Sequence, residues 1–292
     1  NIDKKSFMLY TEPINRKKGV YRMYAVKDAR FIKEMQKMAA NMYRMGWDER
    51  NGGNISYLVP EEEVAYYVDP AKSLRHFAMD FDASPVAGKY FVVTGTTKYF
   101  KNVEDYPEVN LGLLRISDDG KGYDLLWGYE DGGRPTSEFP SHLMSHIERL
   151  KIDPKHRIVM HTHPANVIAM TFVHELSDRA FTRTLWQMIT ECIVVFPEGV
   201  GVLPWMVCGN TEIGEATAEK MKQYRSVIWA QHGIFGTGQD PDEAFGLIET
   251  IEKAAEIYMK IAHLPILQNI KDDELKALAK DFALDYRKDF LD

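Results

Sequence analysis

The most regular run of apolar positions begins after Asp28, where Phe31, Met35, Met38, Met42 and Met45 recur at alternating steps of four and three. That spacing predicts an amphipathic helix with one buried face, stopped by Gly46. Similar spacing predicts helices over 140–150 (Leu143, Ile147, Leu150), roughly 165–188, 211–223, 242–262 (Phe245, Ile248, Ile251, Ala255, Tyr258) and 272–281. Residues 90–94 read as a strand. Residues 111–117 and 123–128 flank Asp118-Asp119-Gly120-Lys121, a hairpin signal. Short connections in ECIVVFPE–GVGVLPW, around Gly199, and in SVIWA–GIFGTG, around Gln231-His232, predict two more hairpins. NGGNIS (51–56) reads as a polar turn, 60–88 as irregular, and 1–25 as an extension without a steady period.

Alternating helices and strands usually mean a parallel, doubly wound sheet. Hairpins instead make antiparallel neighbours. The expectation is therefore an α/β fold with an antiparallel or mixed sheet covered by helices. No linker-like tract or fixed-period repeat divides the chain, so one domain over 26–292 is expected after the N-terminal extension 1–25.

Composition changes the picture in two ways. With 292 residues, 45% of them apolar, the chain can bury a full-sized core. Thirty-six Lys and Arg against 43 Asp and Glu leave a formal charge of −7. That argues against non-specific binding to nucleic acid or an anionic membrane, and an anionic ligand would need a local positive site. Cys192 and Cys208 are too few for a disulfide framework, and no stretch approaches the ~20 apolar residues of a membrane span. The expected compartment is the cytoplasm.

The segment RIVMHTH (157–163) carries the clearest chemistry. Positions two apart on a strand share a face, so His161 and His163 can converge on one metal ion. They could equally be polar strand residues in a hydrogen-bond network. His232, at a corner before Gly233, and Glu138, just before a helix, would complete a set of three nitrogens and a carboxylate suited to Zn²⁺. Alone, His232 reads as a core histidine and Glu138 as a carboxylate near a helix dipole. His142 and His146 are spaced i, i+4 but have no further ligand in a motif-like spacing, so they are expected at the surface or behind the ligands. Asn51-Gly52-Gly53-Asn54, Thr94-Gly95-Thr96-Thr97 and Thr136-Ser137 are small-polar turns whose amides and hydroxyls could hold a phosphate.

WDERNGGN (47–54), VTGTTK (93–98), PTSE (135–138), HTH (161–163), TECIVVFP (190–197), GVLPWM (201–206) and HGIFG (232–236) occur in one ordered set. This set resembles the class II aldolase/adducin family from about residue 40 to about 260. The resemblance implies a single three-layer α/β/α domain with a central, largely antiparallel sheet, assembled as a fourfold-symmetric homotetramer. By similarity, one Zn²⁺ per subunit is held by His161, His163 and His232, with Glu138 as exchangeable fourth ligand and catalytic base. It further implies phosphate contacts at Asn51, Gly53, Asn54, Thr96, Thr136 and Ser137. Glu191 is implied as a second catalytic acid working across a subunit interface. The implied reaction is reversible cleavage of L-rhamnulose 1-phosphate to dihydroxyacetone phosphate and L-lactaldehyde, with fuculose-phosphate cleavage or pentulose-phosphate epimerisation as alternatives on the same scaffold. One departure stands out: the family's phosphate turn usually reads Gly-Ser-Gly, and here it is Gly95-Thr96-Thr97.

Two readings from other classes fit less well. His161-Thr162-His163-Pro164 also occurs in JAMM-type zinc metalloproteases, but their downstream Ser and Asp are here Phe172 and Glu175. A non-catalytic module like the adducin head lacks the metal histidines that this chain keeps.

Overall fold

The computed structural model describes residues 23–292, and most of the expected N-terminal extension lies outside the described residues. Nine strands form one sheet: β1 (Asn54–Val59), β2 (Arg75–Ala78), β3 (Tyr90–Thr94), β4 (Leu111–Ile116), β5 (Gly122–Gly128), β6 (Ile158–Thr162), β7 (Gly201–Leu203), β8 (Ser226–Trp229) and β9 (Gly233–Gly238). Their order is β2-β5-β4-β3-β1-β6-β9-β8-β7. Every neighbouring pair is antiparallel except β7 and β8. The helices are α1 (Arg30–Met45), α2 (Glu61–Val64), α3 (Pro107–Asn110), α4 (Phe139–Ile152), α5 (Ala165–Val173), α6 (Asp178–Met188), α7 (Glu191–Val195), α8 (Thr211–Met221), α9 (Pro241–Ile261) and α10 (Asp272–Asp281). None is long and apolar enough to cross a membrane, among the described residues.

Strand alternation separates two cores. Ile55, Tyr57 and Val59 of β1, with Ile158 and Met160 of β6, pack with α1, α5, α6 and α9 through Phe31, Met35, Val167, Phe181, Ile248 and Ile251. On the other face Leu58 packs with Phe139, Leu143 and Ile147 of α4, and Val159 with Ile213 and Met221 of α8. The result is the expected α/β/α arrangement. The stripe on α1 is buried from Phe31 to Met42 as its spacing requires, whereas Met45 at the last turn is exposed, and Gly46 closes the helix in the left-handed region at φ 71°, its N–H donating to Met42 O.

Four expectations are corrected. The hairpin around Gly199 does not form: 191–195 are α7, and β7 pairs in parallel with β8. A short apolar run does not distinguish a strand from a buried helical turn. Here tertiary bonds decide, with Trp186 Nε1 donating to Phe196 O and Val200 N to Thr182 Oγ1. The helical stretch 165–188 is two helices, and Ser177 caps the second by accepting from Ala180 N. NGGNIS is a turn only to Gly53, because Asn54 already opens the central strand β1, while the irregular region 60–88 hides the edge strand β2.

Candidate metal and phosphate site

The site lies where β1, β6 and β9 end together near the centre of the sheet. Asn54 of β1 stands opposite His161 of β6, and His161 stands opposite Phe235 of β9. His163 follows just beyond β6, its N–H donating to Trp47 O. His232 comes from the β8–β9 corner, where Gln231 takes a left-handed conformation at φ 55°. A Cβ on Gly233 would stand 2.4 Å from Thr162 O and 2.8 Å from His163 Cδ2, so only glycine lets the corner close on β6.

The three imidazoles meet through Nε2. His161 Nε2 is 3.3 Å from His163 Nε2 and 3.4 Å from His232 Nε2. His161 Nδ1–H donates to Ile234 O at 3.2 Å, and His163 Nδ1–H donates to Glu49 at 2.9 Å. Those bonds leave the Nε2 lone pairs of both rings facing one another, an arrangement that a shared cation resolves. Tetrahedral Zn²⁺ at its usual distance from nitrogen separates its ligand atoms by about 3.3–3.4 Å. The residues fit such an ion. Burial, with the neighbouring His163 and His232, holds His161 well below the usual histidine range. Burial and His163 lower His232 to about 4. Both rings are neutral and ready to ligate at physiological pH.

Glu138, the residue before α4, is buried, and its Oε2 lies 3.6 Å from His161 Nε2. It stands at the N-cap of α4 but makes no side-chain cap hydrogen bond to the helix. Asn54 Nδ2 donates to Oε2 at 2.8 Å. Burial raises the Glu138 carboxyl above its ordinary range, and the Asn54 bond works against that rise. The segment before α4 is pinned beside the end of β3: Gly95 bridges Pro135, Thr96 N donates to Arg134 O, Thr136 N to Thr94 O, and Glu138 N to Thr136 Oγ1.

One cavity is lined by Asn51, Gly53, Asn54, Thr96, Thr136 and Ser137 together with Glu138, His161, His163 and His232. Residues from five separate segments of the sequence thus line one cavity. Thr97 lines it too, exposed and in the left-handed region at φ 61°. Glu191, exposed at the start of α7, is not among the residues lining this cavity. His142 and His146 are not at the surface: both are fully buried between α4 and β1.

Residues 33–259 match the family model of the class II aldolase and adducin N-terminal domain. The chain belongs to the class II aldolase family. Relatives of this class II aldolase include the rhamnulose-1-phosphate aldolase of Listeria monocytogenes, 60% identical over 91% of this chain and 98% of the relative. That of Enterococcus faecalis is 57% identical over 91% and 96%. A solved sugar-phosphate aldolase from Thermotoga maritima superposes with a TM-score of 0.69 at 30% identity, over 81% of this chain and 97% of that one. An L-fuculose 1-phosphate aldolase shares the fold at TM-score 0.59 and 18% identity, over 91% of this chain and all of that one. The family is metal-dependent, and in this member His161, His163 and His232 are the candidate metal site.

Two residues of this class II aldolase site escape sequence reasoning. Glu49 carries no periodic signal, yet it holds His163. Despite the desolvation of partial burial, the bond from His163 keeps the Glu49 carboxyl below its usual range. Cys208, on the loop after β7, brings Sγ within 4.8 Å of both the Glu138 carboxylate and a His232 nitrogen, a contact between segments that no local spacing could reveal.

Proposed function

We propose that this lyase cleaves L-rhamnulose 1-phosphate reversibly into dihydroxyacetone phosphate and L-lactaldehyde, a step of rhamnose breakdown in the cytoplasm. The observation that carries the reading is the convergence of three imidazole nitrogens and one buried carboxylate in a cavity whose remaining wall is phosphate-binding in character. The names of relatives 57–60% identical over nine tenths of the chain support this substrate.

One Zn²⁺ per chain would be held by His161, His163 and His232, with Glu138 as an exchangeable fourth ligand. When bound, it supplies Lewis acidity toward the negative charge that develops on the three-carbon fragment, worth several kcal/mol. The protein's own groups handle the protons. Removing the proton from the C4 hydroxyl lets the C3–C4 bond break, its electron pair staying with the phosphate-bearing fragment. Glu138 delivers the proton to C3, and in the reverse direction removes it. Its raised pKa makes it a stronger base than an exposed carboxylate. The phosphate is met by neutral donors, the hydroxyls of Thr96, Thr136 and Ser137, the amides of Asn51 and Asn54, and the Gly53 backbone, so the net charge of −7 does not oppose binding.

The aldehyde-side oxygen falls to Glu191 of a neighbouring copy in a homotetramer. Its exposure and its absence from the lining of its own cavity suit a carboxylate that works across an interface. Product formation from L-rhamnulose 1-phosphate, L-fuculose 1-phosphate and ribulose 5-phosphate tests the reading. The expected result is a preference of about tenfold or more in kcat/KM for the first. A preference for either of the others overturns the assignment.

A further inference from the structure

The seam between α4 and β1 is polar where a core would normally be apolar. Asn54 and Ser56 share one face of β1, two residues and about 6.6 Å apart. His142 and His146 share one face of α4, four residues and about 6 Å apart. The two repeats match, so the pairs meet rung for rung. Asn54 Oδ1 is bonded to His142 Nε2, Ser56 Oγ is 2.8 Å from His142 Nδ1 and 2.8 Å from His146 Nε2, and His146 Nδ1 is 2.8 Å from His156 Nε2. Ser56, His142 and His146 have no exposure at all. At the other end, Asn54 Nδ2 donates to Glu138 Oε2.

The carboxylate fixes the direction of every bond in this chain. An ionised Glu138 only accepts, so Asn54 must turn its NH₂ toward it and its Oδ1 toward His142. His142 must then carry its proton on Nε2 and accept from the Ser56 hydroxyl on Nδ1. Ser56, its proton spent, accepts from His146 Nε2–H, and His146 Nδ1 accepts from His156 Nε2–H. Between its two ends, Asn54, His142, Ser56 and His146 each give one proton along the chain and receive one. Burial holds the imidazoles neutral, His142 and His156 at about 3 and His146 well below its usual range, as this order requires.

We propose that His142 is a positioning residue for the reaction: through the Asn54 amide it fixes the orientation of the Glu138 carboxylate, and Ser56, His146 and His156 lock it in the one tautomer that can do so. The inference rests on Glu138 acting as the base. Without His142 the Asn54 amide is free to rotate, and its oxygen can turn toward Glu138 and push the carboxylate out of place.

Four variants of the protein and one spectrum test this. His142→Phe should keep wild-type zinc content, lower kcat by about 10–100-fold and leave KM within a few-fold. His142→Gln, whose amide offers a donor and an acceptor at a spacing close to that of the ring nitrogens, should recover most of the loss. Ser56→Ala, which touches neither Asn54 nor Glu138, should lower kcat in the same sense by a smaller factor. ¹⁵N-histidine NMR of the metal-free wild type should show His142, His146 and His156 protonated on Nε2. Equal kcat in Phe and Gln variants of equal thermal stability overturns the inference, as does a His142 protonated on Nδ1. If His142→Phe fails to fold, Ser56→Ala at wild-type kcat does the same. Glu138→Gln separates the two ideas. If it abolishes turnover while His142→Phe does not, the base stands and the positioning role falls; if it retains turnover, the base itself falls.

Discussion

Glu49 accepts the Nδ1–H of His163 at 2.9 Å, and that bond turns the ring's Nε2 toward His161 and His232. Replacing a carboxylate that orients a metal-bound histidine typically costs 10–100-fold in metal affinity. The Glu49 side chain is 72% exposed, so solvent screens the bond and the lower end applies. Glu49→Ala should weaken zinc binding by about tenfold, measured by competition with a chelator, while saturating zinc restores turnover. Unchanged affinity would mean that packing alone orients His163.

Glu138→Gln keeps a side chain able to accept from Asn54 Nδ2 but removes the basic carboxylate. Far-UV circular dichroism should match the wild type. Turnover in a coupled dihydroxyacetone phosphate assay should fall by about 10²–10⁴-fold.

Thr97 is a β-branched residue held at φ 61° on the cavity rim, with its side chain exposed. The left-handed region costs such a residue about 1–2 kcal/mol, while glycine's extra freedom in the unfolded chain takes back about 0.5–1 kcal/mol. Thr97→Gly should therefore stabilise the protein by up to about 1.5 kcal/mol, read as a higher urea midpoint. A lower midpoint would show that the threonine makes a compensating interaction in the assembled enzyme.

His142 and His156 stay neutral in the fold to about pH 3, whereas unfolded histidine protonates near pH 6.5. Between those values the unfolded state binds more protons, so this contribution falls as pH falls. Each histidine adds a slope of at most about 1.4 kcal/mol per pH unit. Glu138, raised by burial, contributes in the opposite sense over its own range. Comparing wild type with His156→Gln cancels that carboxylate term. Between pH 7 and pH 5 the wild-type urea midpoint should drop more steeply than the variant's, and parallel curves would contradict the assignment of a neutral buried His156.

Much of this architecture is legible along the chain because local signals and tertiary demands agree. The stripe from Phe31 to Met42, the Asp118-Asp119-Gly120-Lys121 turn and the Gln231-His232 corner each state their own geometry. α7 and β1 are not legible for opposite reasons. Cys192 to Val195 look like a strand, but the Phe196 and Val200 that follow them are tied to α6 through Trp186 and Thr182. Asn54 and Ser56 look like a loop because the partners that make them buried, His142 and His146, come from a helix almost ninety residues later. In the site, His161 and His163 declare themselves by strand spacing, whereas His232, Glu138 and the phosphate turns gain meaning only as an ordered set. Glu49 lies inside the WDERNGGN segment but nothing in its spacing marks it as the partner of His163, and Cys208 lies outside the set altogether.

The most direct test is zinc titration of the metal-free protein, with cleavage of L-rhamnulose 1-phosphate as the readout. Activity should be absent after chelation and should rise with added Zn²⁺ to a plateau at one equivalent per chain. Full activity in the metal-free protein would contradict the role assigned to His161, His163 and His232.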